Sequence, residues 1–342
     1  MFAKLQFLFE LPNYFLYLCS RRLTIMSSKW MLVIGYWLWA VGCFAQNSEV
    51  MLCRQREFHT SIPAGNYSGI TWLGGNRYAV VNDKAEHSGF HLFTITIDSV
   101  SGHIRKARET AFFSSGTANR DEEGICFFPH DSTVFISGEK DNQVLEYTLD
   151  GRLTGRKLHM PTVFATAKKN YGLEALTYNQ TTARFWTTSE LPLAGADQHR
   201  LQSFGNDLQP NGMWYYKMDD ATTVQREGRT LKGIAAMTAL DDGRLLILER
   251  EIYMAKKKIG STVKCKIYIV APNEAVEGTL LPKTLLTSFS TKINLTARSF
   301  ANYEGMCLGP KLQDGRQVLV MICDSQNQQY GILRDWLKTI VF

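Results

Sequence analysis

Asn170-Tyr-Gly-Leu-Glu174-Ala-Leu-Thr-Tyr178, followed after a short polar break by Arg184-Phe-Trp-Thr-Thr-Ser-Glu190, is the stretch on which the reading of this chain turns. Two runs of strand-forming residues flank a turn, and each run carries a carboxylate near one end. The arrangement recurs four times. Asn66-Tyr-Ser-Gly-Ile-Thr-Trp-Leu73 leads to Arg77-Tyr-Ala-Val-Val-Asn-Asp83-Lys84, and Arg120-Asp-Glu-Glu-Gly-Ile-Cys-Phe-Phe128 leads to Ser132-Thr-Val-Phe-Ile-Ser-Gly-Glu139-Lys140. Lys232-Gly-Ile-Ala-Ala-Met-Thr-Ala-Leu240 leads to Arg244-Leu-Leu-Ile-Leu-Glu249-Arg250, and Asn302-Tyr-Glu-Gly-Met-Cys-Leu308 leads to Gln317-Val-Leu-Val-Met-Ile-Cys-Asp324.

The Gly or Ala of the five copies falls at 69, 124, 175, 236 and 305, which gives steps of 55, 51, 61 and 69 residues. Two more strand candidates follow most copies: 91–97 and 104–112, 143–149 and 153–159, 213–218 and 224–230, 264–270 and 279–287. Four-stranded units at this spacing predict an all-β chain folded as a β-propeller. Five units are clear, and the long fourth step leaves room for a sixth, degenerate blade. Residues 52–61 are expected to complete the last unit, closing the ring with strands from both ends of the chain.

Composition sets the frame around this repeat. Of 342 residues, 45% are hydrophobic and 20% charged, enough apolar material for a large core and too much for a disordered chain. Residues 1–45 read as a leader: Ser27, Ser28 and Lys29 precede an apolar run from Trp30 to Phe44, and small Ala45 follows. That order is expected of a secretory signal, with Met26 as an alternative start. The run is too short for a comfortable membrane span. Residues 46–342 then form one domain, exported to a periplasm or secreted. Half of the formal charge of +6 lies in the leader, where Lys4, Arg21, Arg22 and Lys29 oppose Glu10. The remaining weak basicity, with Lys256-Lys257-Lys258 as its longest run, predicts no nucleic-acid stripe. Oligomeric state is not readable from the chain.

Five cysteines lie outside the leader: Cys53, Cys126, Cys265, Cys307 and Cys323. With no Cys-x-x-Cys and no histidine at zinc-ligand spacing, they read as small core residues, with one disulfide as the alternative. Aromatic Trp72, Phe127, Phe128, Tyr178 and Trp186 are expected in the core. No nucleophile elbow or phosphate-binding loop motif is present.

The carboxylates carry the functional reading. In a propeller the first strand of each blade lines the channel, and the second returns to the face where the first began. Glu122, Glu123, Glu174 and Glu304 stand at first-strand starts; Asp83, Glu139, Glu190, Glu249 and Asp324 stand at second-strand ends. All nine are therefore expected at one channel mouth. Like charges gathered there need a counter-cation. Lys84, Arg120, Lys140 and Arg250 adjoin them, and an oxygen-only set suits Ca²⁺. Asn66, Asn82, Asn170 and Asn302 add amide oxygens. The competing reading is structural: strand-end acids that bind backbone N–H groups or a nearby arginine.

Several of these motifs together resemble the phytase-like, "esterase-like activity of phytase" family of exported proteins. They are Arg120-Asp-Glu-Glu-Gly-Ile125, Asn170–Leu176 with Thr188-Ser-Glu-Leu-Pro-Leu193, Asp242–Arg250, and Asn302-Tyr-Glu-Gly-Met306 with Ile322-Cys-Asp-Ser-Gln326. The resemblance extends over 67–337 and implies a calcium-dependent propeller that hydrolyses a small-molecule ester or phosphoester. Carried over to this chain, it implies metal ligation by Glu123, Glu174, Glu304, Asp83, Glu139 and Asp324. Arg120, Lys140 and Arg250 would neutralise phosphoryl charge, and Glu190 or Glu249 would accept the proton of water. Segment 191–210 is expected as a lid. The fourth unit departs from the pattern, with Ala235-Ala236 in place of Glu-Gly. Two alternatives stand beside this reading: a lactonase-type propeller hydrolase, and a non-catalytic propeller that binds a sugar, peptide or protein.

Overall fold

Period-two alternation dictates the architecture, because strand residues that alternate between two apolar faces can bury both only when sheets stack face to face. The computed structural model describes residues 49–222, 228–294 and 299–342. Two short strands, β1 (Met51–Leu52) and β2 (Arg56–Glu57), precede the first repeat. Blade 1 comprises β3 (Tyr67–Trp72), β4 (Arg77–Asn82), β5 (His87–Ile97) and β6 (Ile104–Ala118). Blade 2 comprises β7 (Glu122–Phe128), β8 (Thr133–Gly138), β9 (Gln143–Thr148) and β10 (Leu153–Lys157). Blade 3 holds β11 (Leu173–Asn179), β12 (Arg184–Ser189), β13 (His199–Phe204) and β14 (Pro210–Tyr216). Blade 4 holds β15 (Gly228–Ala239), β16 (Leu245–Ala255), β17 (Thr262–Val270) and β18 (Lys283–Lys292). Blade 5 is built from β19 (Asn302–Lys311), β20 (Gln317–Asp324) and β21 (Trp336–Val341).

Each blade is an antiparallel sheet in chain order. The first strands touch in a cycle, β3 to β7, β7 to β11, β11 to β15, β15 to β19 and β19 back to β3, so they line a central channel. Blade 5 is closed as expected: β1 and β2 both pair with β21, with Met51 opposite Val341 and Arg56 opposite Leu337.

Five apolar clusters fill the five interfaces between blades. Adjacent residues of one strand serve different interfaces. Val80 faces blade 5 beside Val320 and Ile322, while Val81 faces blade 2 beside Ile125 and Val134. Trp186 packs on Trp214 at a ring separation of 5.2 Å, and both are buried between blades 3 and 4. All five cysteines are buried and free, so no disulfide forms among the described residues.

Two expectations are corrected. The described residues form five blades, with no sixth among them: the long fourth step is spent on long strands, since β16, β17 and β18 run for 11, 9 and 10 residues. In blade 3 the outer strands are His199–Phe204 and Pro210–Tyr216, so β13 lies inside the segment expected as a lid. Buried polar residues disguised it. Gln202 and Ser203 are in the interior and satisfied by hydrogen bonds, Gln202 Nε2 to the Gly212 carbonyl at 2.9 Å among them. Of the expected strand 224–230, residues 224–227 lie outside the described residues, and 228–230 open β15. The leader, 1–45, also lies outside the described residues.

A carboxylate ring as candidate functional site

Every first strand carries a one-residue slip at the same place. The register against the second strand shifts between Tyr67 and Ile70, Glu122 and Ile125, Leu173 and Ala175, Ile234 and Ala236, and Tyr303 and Gly305. In blades 3 to 5 the extra residue is Glu174, Ala235 or Glu304. Such bulges re-aim a side chain, and here they turn one residue per blade toward the channel. Glu123, Glu174, Ala235 and Glu304 border a small space in the channel centre, about 10 Å³. The glycines that follow permit the close approach of neighbouring strands. A Cβ on Gly69 would lie 2.4 Å from the Glu123 carbonyl, and one on Gly305 would lie 2.5 Å from that of Ser68.

A second tier sits where the second strands end. Backbone pairing defines it: Asp83 N–H donates to Asn66 O, Glu139 N–H to Asp121 O and Glu190 N–H to Gly172 O, while Asp324 lies opposite Asn302. The matching residue in blade 4 is Arg250, opposite Gly233. Glu249 falls one position earlier. A slip of one residue along a strand puts a side chain on the other face, and Glu249 accordingly leaves the ring. It is buried between blades 3 and 4, where it accepts hydrogen bonds from Tyr216 Oη at 2.6 Å, Lys283 Nζ at 2.5 Å and Asp219 N–H at 3.1 Å. Glu122 is diverted as well; it is buried and takes the Arg120 N–H at 3.3 Å. Seven of the nine expected carboxylates therefore converge: Asp83, Glu123, Glu139, Glu174, Glu190, Glu304 and Asp324.

The cations divide unevenly. Arg250, with a side chain 7% exposed, reaches Glu190 Oε1 at 2.7 Å and also binds Glu304 Oε1. Lys84 holds Asp83 at 2.8 Å and Asp121 at 2.9 Å, and Lys140 approaches the same Asp121 at 3.3 Å. Both lysines are more than half exposed at the rim. Arg120 is elsewhere: its guanidinium is committed to Asp141 and to the Ile136 carbonyl within blade 2. Glu123, Glu139, Glu174 and Asp324 have no basic side chain within ion-pair distance among the described residues.

Electrostatics follow from this imbalance. Burial, then the charges of Asp83, Glu304 and Glu139, push the Glu123 carboxyl well above its ordinary range. Burial, then Glu123, Glu190 and Glu304, do the same to Glu174. Asp324 is raised by burial and by Glu304. Asp83 is pushed up to about 6 by burial, with Lys84 opposing the rise. Carboxyl groups in this condition demand protons or a cation. Glu139, Glu174 and Glu190 each offer an oxygen within 4.8 Å of the others, and Asp83 Oδ1 is buried with no hydrogen-bond partner. The donors are all oxygen, the set that hard cations prefer.

A larger cavity, about 480 Å³, opens at the opposite mouth, lined by Trp72, Phe127, Tyr178 and Leu308. Trp72, Phe127 and Tyr178, expected in the core, are only half-buried there, whereas Phe128 and Trp186 are in the core. Its charged lining residues, Asp241 and Lys311, pair with each other at 3.2 Å. Ile70, Ile125, Leu176 and Met306 line both spaces and separate this cup from the ring. Its acid and base neutralise each other, whereas the converging carboxylates are at the other mouth, so the chemistry belongs there despite the smaller space.

Fold and site together define a five-bladed propeller with an acidic channel mouth. The chain belongs to the phytase-like family, "esterase-like activity of phytase", whose family model matches residues 62–326. No curated protein matches the sequence. Among solved structures, an endo-arabinase from Bacteroides thetaiotaomicron VPI-5482 is 12% identical over 82% of this chain and 97% of its own, with a TM-score of 0.47. A streptogramin B lyase is 12% identical over 85% of this chain and 99% of its own, with a TM-score of 0.39. No helix among the described residues is long and apolar enough to cross a membrane.

Proposed function

We propose that this chain is an exported, calcium-dependent hydrolase of small-molecule esters, with a phosphoric ester as the favoured substrate. The observation that carries the proposal is the charge imbalance of the ring: among the described residues four converging carboxylates have no basic partner, and three ring members approach within 4.8 Å. Glu139, Glu174 and Glu190 are the residues that would hold the ion. Bound calcium supplies a docking charge for phosphoryl oxygens and Lewis acidity toward the scissile group.

The chain's own residues do the rest. Lys84 and Lys140 stand exposed at the rim, where long flexible ammonium groups can follow a phosphate oxygen. Their presence favours a phosphoester over a neutral lactone. Glu123 and Asp324 stand outside the ligating trio and hold protons more tightly than ordinary carboxyls, as a general base working near neutrality does. Glu249 and Arg120 drop out of the chemistry, because each is committed to a structural partner. Export rests on the apolar run ahead of Ala45.

The test is hydrolysis of a phosphomonoester and a carboxylic-ester panel by the purified protein, with calcium and with chelator. Phosphomonoester turnover that needs calcium is expected. Hydrolysis that persists in chelator removes the metal from the reaction, and calcium binding without turnover of any ester reduces the protein to a binding module.

A further inference from the structure

Arg250 stands where an ion would otherwise stand. It fills the second-tier position of blade 4, the blade whose bulge offers Ala235 in place of a carboxylate. Its guanidinium spans between the two neighbouring blades: Nη2 donates to Glu190 Oε1 at 2.7 Å, and Nη1 donates to Asn302 Oδ1 at 2.9 Å and to Glu304 Oε1. Asn302 Nδ2 donates to the same Glu304 oxygen at 2.8 Å and fixes it in place. Gly233, opposite Arg250, makes the room, since a Cβ there would come within 2.5 Å of Glu190 Cγ. The arrangement is crowded and nearly closed to solvent. A guanidinium remains charged at any working pH, and a planar fork shared by two carboxylates is a strong, directional contact.

We infer that Arg250 is a built-in counter-cation that neutralises the blade 3 to blade 5 arc of the mouth and confines a divalent ion to the arc of blades 2 and 3. This rests on the metal reading proposed above. Glu190 is the boundary residue, with one oxygen on the guanidinium. Glu304 is withdrawn from ligation. A second dication near Glu304 would meet a fixed positive charge of like sign. Arg250 is thus a positioning residue: three of its donors are spent on Glu190, Asn302 and Glu304, and its side chain is nearly buried. In its absence Glu190 and Glu304 would face each other unpaired, and the vacated volume would accept another ion.

Calcium titration by calorimetry, with metal analysis after dialysis, tests this on the wild-type protein and on R250M, E304Q and E174Q. R250M is expected to bind one calcium more per chain than the wild type. E304Q is expected to weaken calcium binding by less than about fivefold, and E174Q by about 100-fold or more. An unchanged count in R250M overturns the role of Arg250, as does an E304Q defect as deep as that of E174Q. Should R250M fail to fold, because two buried carboxylates lose their partner, the comparison of E304Q with E174Q decides alone. A wild-type protein that binds no calcium overturns the metal reading itself, and this inference with it; calcium binding with the wrong variant pattern overturns only the inference.

Discussion

Glu249 and Arg250 are consecutive in β16 and serve opposite sides of blade 4. Arg250 enters the channel mouth and binds Glu190 at 2.7 Å, while Glu249 turns toward blade 3 and binds Tyr216 Oη at 2.6 Å. The first belongs to the candidate site and the second to the scaffold.

That division predicts the behaviour of E249A. The carboxylate is 4% exposed and carries Lys283, Tyr216 and a backbone N–H. Removing it leaves the buried Tyr216 hydroxyl and the Asp219 N–H without their acceptor, while Lys283 keeps Asp219 at 2.7 Å, at a cost of about 1–3 kcal/mol in urea unfolding. Calcium affinity is expected to be unchanged. A large loss of calcium binding in E249A would return Glu249 to the ring.

The neutral isostere E174Q should act with the opposite sign. Glu174 is buried and faces the charges of Glu123, Glu190 and Glu304. Without its charge the metal-free protein has less self-repulsion, and its Tm in chelator should rise by a few degrees. The same variant should lose the rise in Tm that calcium gives the wild type. Thermal scans with calcium and with chelator read both effects.

Proton linkage gives a third prediction. Raised carboxyl groups hold protons more tightly in the folded chain, so the ring penalises folding progressively as pH rises from about 4, the unfolded value, through the folded ones. Burial pushes Asp83 up to about 6 and holds Glu123, Glu174 and Asp324 well above their ordinary range. Calcium cancels the penalty by replacing the protons. The calcium-induced rise in Tm is therefore expected to be larger at about pH 7.5 than at about pH 5. His199 works the other way, since burial lowers it to about 4 and its stabilising neutrality is lost as pH falls from 6.5 through that value. The difference between calcium and chelator at each pH isolates the ring from this opposing contribution. An increment that does not depend on pH would dissociate the carboxyl groups from the metal.

Packing at the channel wall supplies a fourth. A methyl group on Gly305 would lie 2.5 Å from the Ser68 carbonyl oxygen and from Ile322 Cγ2. Neither can yield far, one being backbone and the other a branched side chain in the core. G305A should cost about 1–3 kcal/mol, with calcium affinity little changed, because Glu304 is held by Arg250 and Asn302. Urea denaturation reads the first effect and calorimetry the second.

Much of this was legible from the chain. Repetition of a strand, turn and strand with end carboxylates predicts the blades, and the Gly or Ala at five matching positions predicts which strands line the channel. The gathering of Glu123, Glu174 and Glu304 follows from that alone. Two features were not legible. The hairpin register of blade 4 is not written in its composition, so pattern matching takes the nearby carboxylate Glu249 as the end of its strand when Arg250, opposite Gly233, occupies that place. Strand β13 was hidden because Gln202 and Ser203 face inward, where hydrogen bonds replace apolar contact. In both cases the deciding fact is which partner strand a residue meets, and local alternation does not encode it.

The pairing of β1 and β2 with β21 has a consequence for biogenesis. Strands β1 and β2 are synthesised before the blades that follow them and must wait for β21 before their edge is covered. Until then blade 5 is an unfinished rim, and the toroid stays sprung open along the seam between its earliest and latest segments. Shutting that seam has to await the arrival of β21.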